Sequence, residues 1–176
     1  GNAITNGSKV GNYSTIEFAA AVNENYYVSE WTGAKADAED STKASIASLE
    51  KTTDVIAHIA EKPQVTAAAP VNGTVEVAGT RGIQNVVLTG AEGENGHVNM
   101  NSTAAITATP NDGYFVQKIM VTADGATQTF DYDNAQAYQS GKVAKDDIQI
   151  TKDTLVQVIF AEKPVITFGG DTHITV

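Results

Sequence analysis

The groups in this sequence that could do chemistry are two acidic runs, three histidines and one aromatic cluster. Asp37-Ala38-Glu39-Asp40 and Asp131-Tyr132-Asp133-Asn134 hold enough oxygen to attract a hard cation such as calcium. The second run lacks the Gly at the sixth position and the Glu at the twelfth that shape an EF-hand loop, so both are read as solvated loop charge and no metal site is expected. His58, His97 and His173 have no second His at ligand spacing, and His-Glu-x-x-His is absent. There is no Gly-x-Ser-x-Gly elbow to expose a nucleophilic serine. The chain has no Cys, which removes thiolate nucleophiles, thiolate metal sites and disulfides. The Gly-rich run from Gly90 to Gly96 has no following Lys-Ser/Thr pair, so it is not a phosphate loop. The expectation is a non-enzymatic chain with no cofactor.

Tyr26, Tyr27 and Trp31 lie close together, and aromatic faces stack on sugars. They are the candidate ligand contacts, toward a host or cell-wall glycan or protein. Core packing competes with that reading, because Trp buries a large area and then needs a partner for its N–H.

Composition narrows the partners. With 176 residues and a formal net charge of −10, the chain lacks the clustered Lys and Arg that bind phosphate backbones. Its single Arg, Arg81, leaves almost nothing for bidentate readout, so no nucleic acid is expected. No apolar run approaches the roughly 20 residues that span a bilayer, so no membrane insertion is expected. At 41% hydrophobic and 18% charged, the chain is too apolar for disorder. It opens with Gly1-Asn2-Ala3 and no Met, which reads as a cleavage scar or fragment boundary, so a missing leader carries no information. An acidic, Thr- and Asn-rich chain without Cys is common among exported proteins of Gram-positive bacteria.

The elements that would position these groups are strands. Thr15–Phe18, Gly73–Val77, Ala105–Ala108, Ile148–Thr151 and Val156–Phe160 alternate apolar and polar residues, as half-buried strands do. Asn6-Gly7, Asn72-Gly73, Asn95-Gly96 and Asn111 to Gly113 supply turn residues that tolerate positive φ. Gly90 to Gly96 reads as a loop. Ser41 to Glu50 is ambiguous, since Ile46 and Leu49 also fit helical spacing.

The strongest signal is self-similarity. Asp54–Pro63 matches Leu155–Pro164, with Ala-Glu-Lys-Pro identical in both, 101 positions apart. Asn25-Tyr26-Tyr27-Val28 matches Gly113-Tyr114-Phe115-Val116, 88 positions apart. The second copy therefore carries extra residues between those landmarks, placed near Thr122 to Gly141, where loop residues collect. The match aligns Ala47 and Leu49 with Ile148 and Ile150, so Ala44 to Leu49 is read as a strand. It makes Val55, Ala57 and Ile59 the inward set of the last strand, against Val156, Val158 and Phe160. His58 then faces outward. It also favours a core role for Trp31, whose counterpart is Ile119.

The expected fold is all-β, with two tandem repeat modules at residues 1–63 and 64–164. A trailing hairpin, or the start of a third repeat, covers 165–176, because Val165 onward resembles the opening after Pro63. A β-grasp-like α+β form with one short helix is the alternative for each module. Two short repeated modules rarely make the cleft that the opposed carboxylates of a glycosidase need.

These residues resemble the divergent B-repeat family of bacterial surface proteins, related to the B-repeats of Listeria internalins. In the second module the matches are Gly73-Thr74-Val75, Ala105 to Pro110, Gly113-Tyr114-Phe115-Val116 and Ile148 to Phe160. In the first they are Ile16 to Ala20, Asn25 to Val28, Trp31-Thr32-Gly33 and Ala47 to Ile59. The chain departs from the pattern at Ile119, where the first module has Trp31, and at Asn25, where the family prefers Gly. The resemblance implies an extracellular or cell-wall-attached spacer or adhesion-associated module in a bacterium. The alternative is a carbohydrate- or protein-binding module using the aromatic cluster or the loops Gly90–Asn101 and Thr122–Gly141. Some modules of Gram-positive surface proteins carry Lys–Asn cross-links, but no such pairing can be read from the spacing here.

Overall fold

A computed structural model of the chain describes residues 3–81, 87–90, 95–132, 141–167 and 169. His173, Asp133 and Asn134, and most of the 165–176 tail, lie outside the described residues. Fourteen strands are present among the described residues: β1 (Ser14–Ala19), β2 (Tyr26–Thr32), β3 (Lys35–Ala36), β4 (Lys43–Leu49), β5 (Ile56–Glu61), β6 (Gln64–Ala67) and β7 (Gly73–Arg81). They continue as β8 (Val87–Leu88), β9 (Asn95–His97), β10 (Ser102–Pro110), β11 (Tyr114–Ala123), β12 (Ala126–Asp131), β13 (Val143–Ile150) and β14 (Thr154–Glu162). The fold is all-β. No helix occurs among the described residues, so the α+β alternative falls. Within Ser41–Glu50, the segment with helical spacing, Lys43–Leu49 forms β4, which pairs with β1 on one edge and β3 on the other.

The chain divides into two compact units, Gly1–Lys62 and Pro63–Val176. The second unit contains two sheets, ordered β13-β10-β7-β8 and β12-β11-β14-β6-β9. All pairings in it are antiparallel except β6 on β14. Every strand of it except β9 gives side chains to a single core, and the longer strands do so on one face, as period-2 alternation dictates. Ala104, Ile106 and Ala108 of β10, Ile119 and Val121 of β11, and Val156, Val158 and Phe160 of β14 all enter it. Gly73 is needed where β7 opens. A Cβ there would stand 2.4 to 2.7 Å from the Phe160 ring. Asn72, not Gly73, takes the positive φ of that turn, at 68°.

The first unit has a three-stranded sheet, β1-β4-β3, and a two-stranded one, β2-β5. Its pairings map onto the second unit at constant offsets. Adding 88 to the residues of β2 and 101 to those of β5 converts Tyr26↔Glu61, Val28↔Ile59 and Glu30↔His58 into Tyr114↔Glu162, Val116↔Phe160 and Lys118↔Ile159. The bulges fall at equivalent residues, Ser29 and Gln117. The same offsets convert Ser14↔Leu49 and Phe18↔Ala44 into Ser102↔Ile150 and Ile106↔Lys145. Local geometry follows. Tyr13 and Asn101 both take positive φ (65° and 61°). The Tyr26 and Tyr114 amides donate to Asn23 and Asn111, each at 3.0 Å, and the Lys62 and Lys163 amides donate to Asn25 and Gly113, each at 2.8 Å.

Several expectations change. Asn95-Gly96 is not loop but part of β9, which pairs with Gln64–Thr66 and so satisfies the open edge of β6. Residues 91–94 of that predicted loop lie outside the described residues. The predicted loop from Thr122 begins instead as a hairpin. β11 runs to Ala123, Asp124 and Gly125 turn with positive φ of 52° and 74°, and β12 pairs back onto β11. Two successive positive φ values suit the twist of a tight hairpin. Ala47 faces solvent, because the bulge of β4 lies two pairs nearer its end than that of β13 and turns Ile46 inward instead. Ile59 was expected to be buried and is 49% exposed, whereas its counterpart Phe160 is 8% exposed. Phe160 lies against Gly73 of β7, and among the described residues no strand equivalent to β7 adjoins β1. Residues 163–167 of the tail belong to no strand.

Candidate functional site

Alternation along β2, shifted once by the bulge at Ser29, sets the three candidate aromatics on two faces. Tyr26, Val28 and Trp31 share one face and Tyr27 stands on the other, so the three do not form one platform. Trp31 is half-buried. Its indole N–H donates to the Ser41 carbonyl at 2.9 Å. Its ring packs against Phe18 of β1, with centroids 6.2 Å apart and planes tilted by 43°. An indole that already has a hydrogen-bond partner and an aromatic neighbour behaves as packing. Tyr26 is exposed, Tyr27 half-buried and Val28 buried.

Beside Phe18 lies an open groove of about 1090 Å³, lined by Ile4, Val10, Ile16, Phe18, Leu49 and Val55 among others. Sequence reasoning missed it. The signal that would have found it is Phe18, which stands 88 residues before Ile106, a side chain with no exposure in the second unit. A large aromatic at a core position of a thinner unit marks a face that lacks its cover.

The carboxylates are spent on their own turn. Asp37 Oδ1 accepts the amides of Glu39 and Asp40, both at 2.9 Å. Asp40 Oδ1 accepts the Thr42 amide at 3.0 Å and the Thr42 hydroxyl at 2.6 Å, and Lys43 pairs with Oδ2 at 2.9 Å. The Thr42 hydroxyl, with Lys43 beside it, lowers the Asp40 pKa to about 2. The Lys43 ammonium is correspondingly raised by Asp40. Carboxylates so occupied have few lone pairs left for a cation. Among the described residues no group of three His, Asp or Glu side chains is placed to hold a metal ion.

The two described histidines, His58 and His97, lie on different strands in different units. His58 is exposed on the outward face of β5, where its Nε2 lies 2.8 Å from the Thr32 hydroxyl. His97 is in β9 and is half-buried. Asp131 is exposed at the end of β12, and Tyr132 packs on the core edge, its phenol pKa raised first by burial and then by Asp146. Asp124 and Lys152 form an ion pair that lowers the Asp124 pKa, mainly through the hydrogen bond between them. No described helix is long and apolar enough to cross a membrane.

No family model, no curated protein and no solved structure matches this chain.

Proposed function

We propose that the chain is a non-enzymatic structural module of a bacterial surface or secreted protein, built from two tandem copies of one β unit, that acts as a spacer or in adhesion. The observation that carries this reading is the constant offset. Two strand pairs, a bulge, a positive-φ turn and two capping hydrogen bonds recur on adding 88 or 101 to the residue numbers. Side chains vary freely around that conserved backbone, Trp31 against Ile119 and Ile59 against Phe160. This is the pattern of repeats whose shared property is shape. The aromatic cluster gives a binding reading less support, since the Trp31 N–H is satisfied and Tyr27 faces away from it. The bacterial surface location rests on the B-repeat resemblance and on composition.

Trp31 is the only Trp, so its fluorescence reports on this face alone. Titration with cell-wall and host glycans is expected to leave its emission unchanged and protected from quencher. A saturable shift with one glycan would replace the spacer reading with a carbohydrate-binding one.

A further inference from the structure

The strands of the first unit stop short where those of the second are held by β6 and β7. β14 begins at Thr154, but β5 begins at Ile56, the counterpart of Gln157. The three additional residues of β14, Thr154, Leu155 and Val156, are those that pair with Val65, Thr66 and Ala67 of β6. Their counterparts Thr53, Asp54 and Val55 belong to no strand. Their local turn is nevertheless ready: the Thr53 hydroxyl donates to the Lys51 carbonyl at 3.0 Å, as Thr154 does to Lys152 at 2.8 Å. The same holds on the other sheet. β1 ends at Ala19, whereas β10 continues to Pro110 over residues paired with Gly73–Val75 of β7. What the first unit lacks is therefore a β6-like strand on the open edge of β5 and a β7-like strand beside β1. The groove beside Phe18 and Val55, and the exposure of Ile59, follow from that.

A segment of the right kind is present at the other end of the chain. Val165 and Ile166, adjacent in the chain, are 79% and 78% exposed. They follow the second Ala-Glu-Lys-Pro as Gln64 and Val65 follow the first, and Ile166-Thr167-Phe168 aligns with Val65-Thr66-Ala67 at the offset of 101. In their own unit the equivalent place, beside Thr154–Val156, is taken by β6, and β11 holds the other edge of β14. Ile and Phe in place of Val and Ala are larger, which suits a less filled acceptor.

We propose that the first unit is an acceptor for residues 165–176 of a second copy of this chain, giving head-to-tail association. The donated segment adds to the open edge of β5 as a parallel strand. It uses the register of β6 on β14, with Ile166 opposite Thr53 and Thr167 opposite Asp54. This is strand addition to a sheet edge, with main-chain hydrogen bonds for affinity and alternate apolar side chains for specificity. The contact joins unlike surfaces, so it propagates rather than closing as a symmetric dimer. Copies with a net charge of −10 repel, so added salt strengthens the association. The proposal rests on the two units being copies of one module.

Sedimentation velocity of the full chain, from micromolar to millimolar concentration, tests it. Average mass is expected to rise with concentration and with salt, and amide-exchange protection at Thr53–Val55 to rise in parallel. Removing 165–176, or substituting Ile166→Asp, is expected to abolish the heavier species. Ile166 itself lies in no strand of the second unit. A chain that stays monomeric, association that survives the deletion, or protection at Thr53–Val55 that is independent of concentration each overturns the proposal. A variant with a copy of residues 63–81 joined ahead of Gly1 separates the two ideas. If the chain does not associate but this segment raises the unfolding midpoint read from Trp31, the second-copy proposal falls and the shared module stands. If the segment also has no effect, both fall.

Discussion

Asp40 shows how one carboxylate can be structural rather than chemical. Its oxygens hold the Thr42 amide and hydroxyl and the Lys43 ammonium, fixing the entry to β4. Its pKa is lowered from 3.8 to about 2, so the folded state favours the charged form. A depressed carboxylate pKa stabilises the fold at pH values above the unfolded pKa. That contribution is lost as pH falls through the folded value. Wild type should therefore be more stable than Asp40→Asn near neutral pH, with the gap closing between pH 3.8 and about 2. Chemical denaturation of both proteins across that window checks it, and a gap independent of pH would contradict the assignment.

Strand β7 shows how much one residue can decide for an element. Its first residue, Gly73, admits the Phe160 ring from the opposite sheet. Gly73→Ala drives a methyl into that ring, in a core with little room to move. The expected cost is about 1–3 kcal/mol, typical of overpacking. Phe160→Leu introduced with it should recover part of the loss. Urea denaturation of the two singles and the double is the measurement. Additive losses would mean that the Gly73–Phe160 contact does not set the spacing of β7 and β14. The bulges act at the same scale. Ser29 and Gln117 each shift the alternation by one residue, which is why Trp31 and Ile119 share a face with Val28 and Val116 rather than with Tyr27 and Phe115.

Across the whole molecule the two units are unequal. In the first, Val28 and Ala44 are the apolar side chains fully withdrawn from solvent among its described residues, whereas the second has one continuous core. A unit of about 60 residues buries a smaller fraction of its surface than a larger domain does, even when complete. The first unit should unfold at lower temperature than the second. The sole Trp makes this visible, since Trp31 lies in the first unit and far-UV circular dichroism sums over both. On heating, the fluorescence transition should precede the main dichroism transition. Coincident transitions would show one cooperative domain instead.

The all-β class, most strand positions and the internal match were legible in the sequence because alternation and turn residues are local signals. Ile106, Ile119 and Val156 sit inward as their spacing says. Other features depended on partners far along the chain. Ile59 and Phe160 have the same local pattern, yet one is exposed and the other buried, because burial requires a facing strand and only the second unit has β7. β9 forms from an Asn-Gly pair because β6 offers it an edge. The segment after Thr122 becomes a hairpin because β11 has an open side. Local pattern determines which residues can form a strand and which face is apolar; only tertiary pairing decides which edges and faces are covered, and here that difference separates a complete unit from an acceptor.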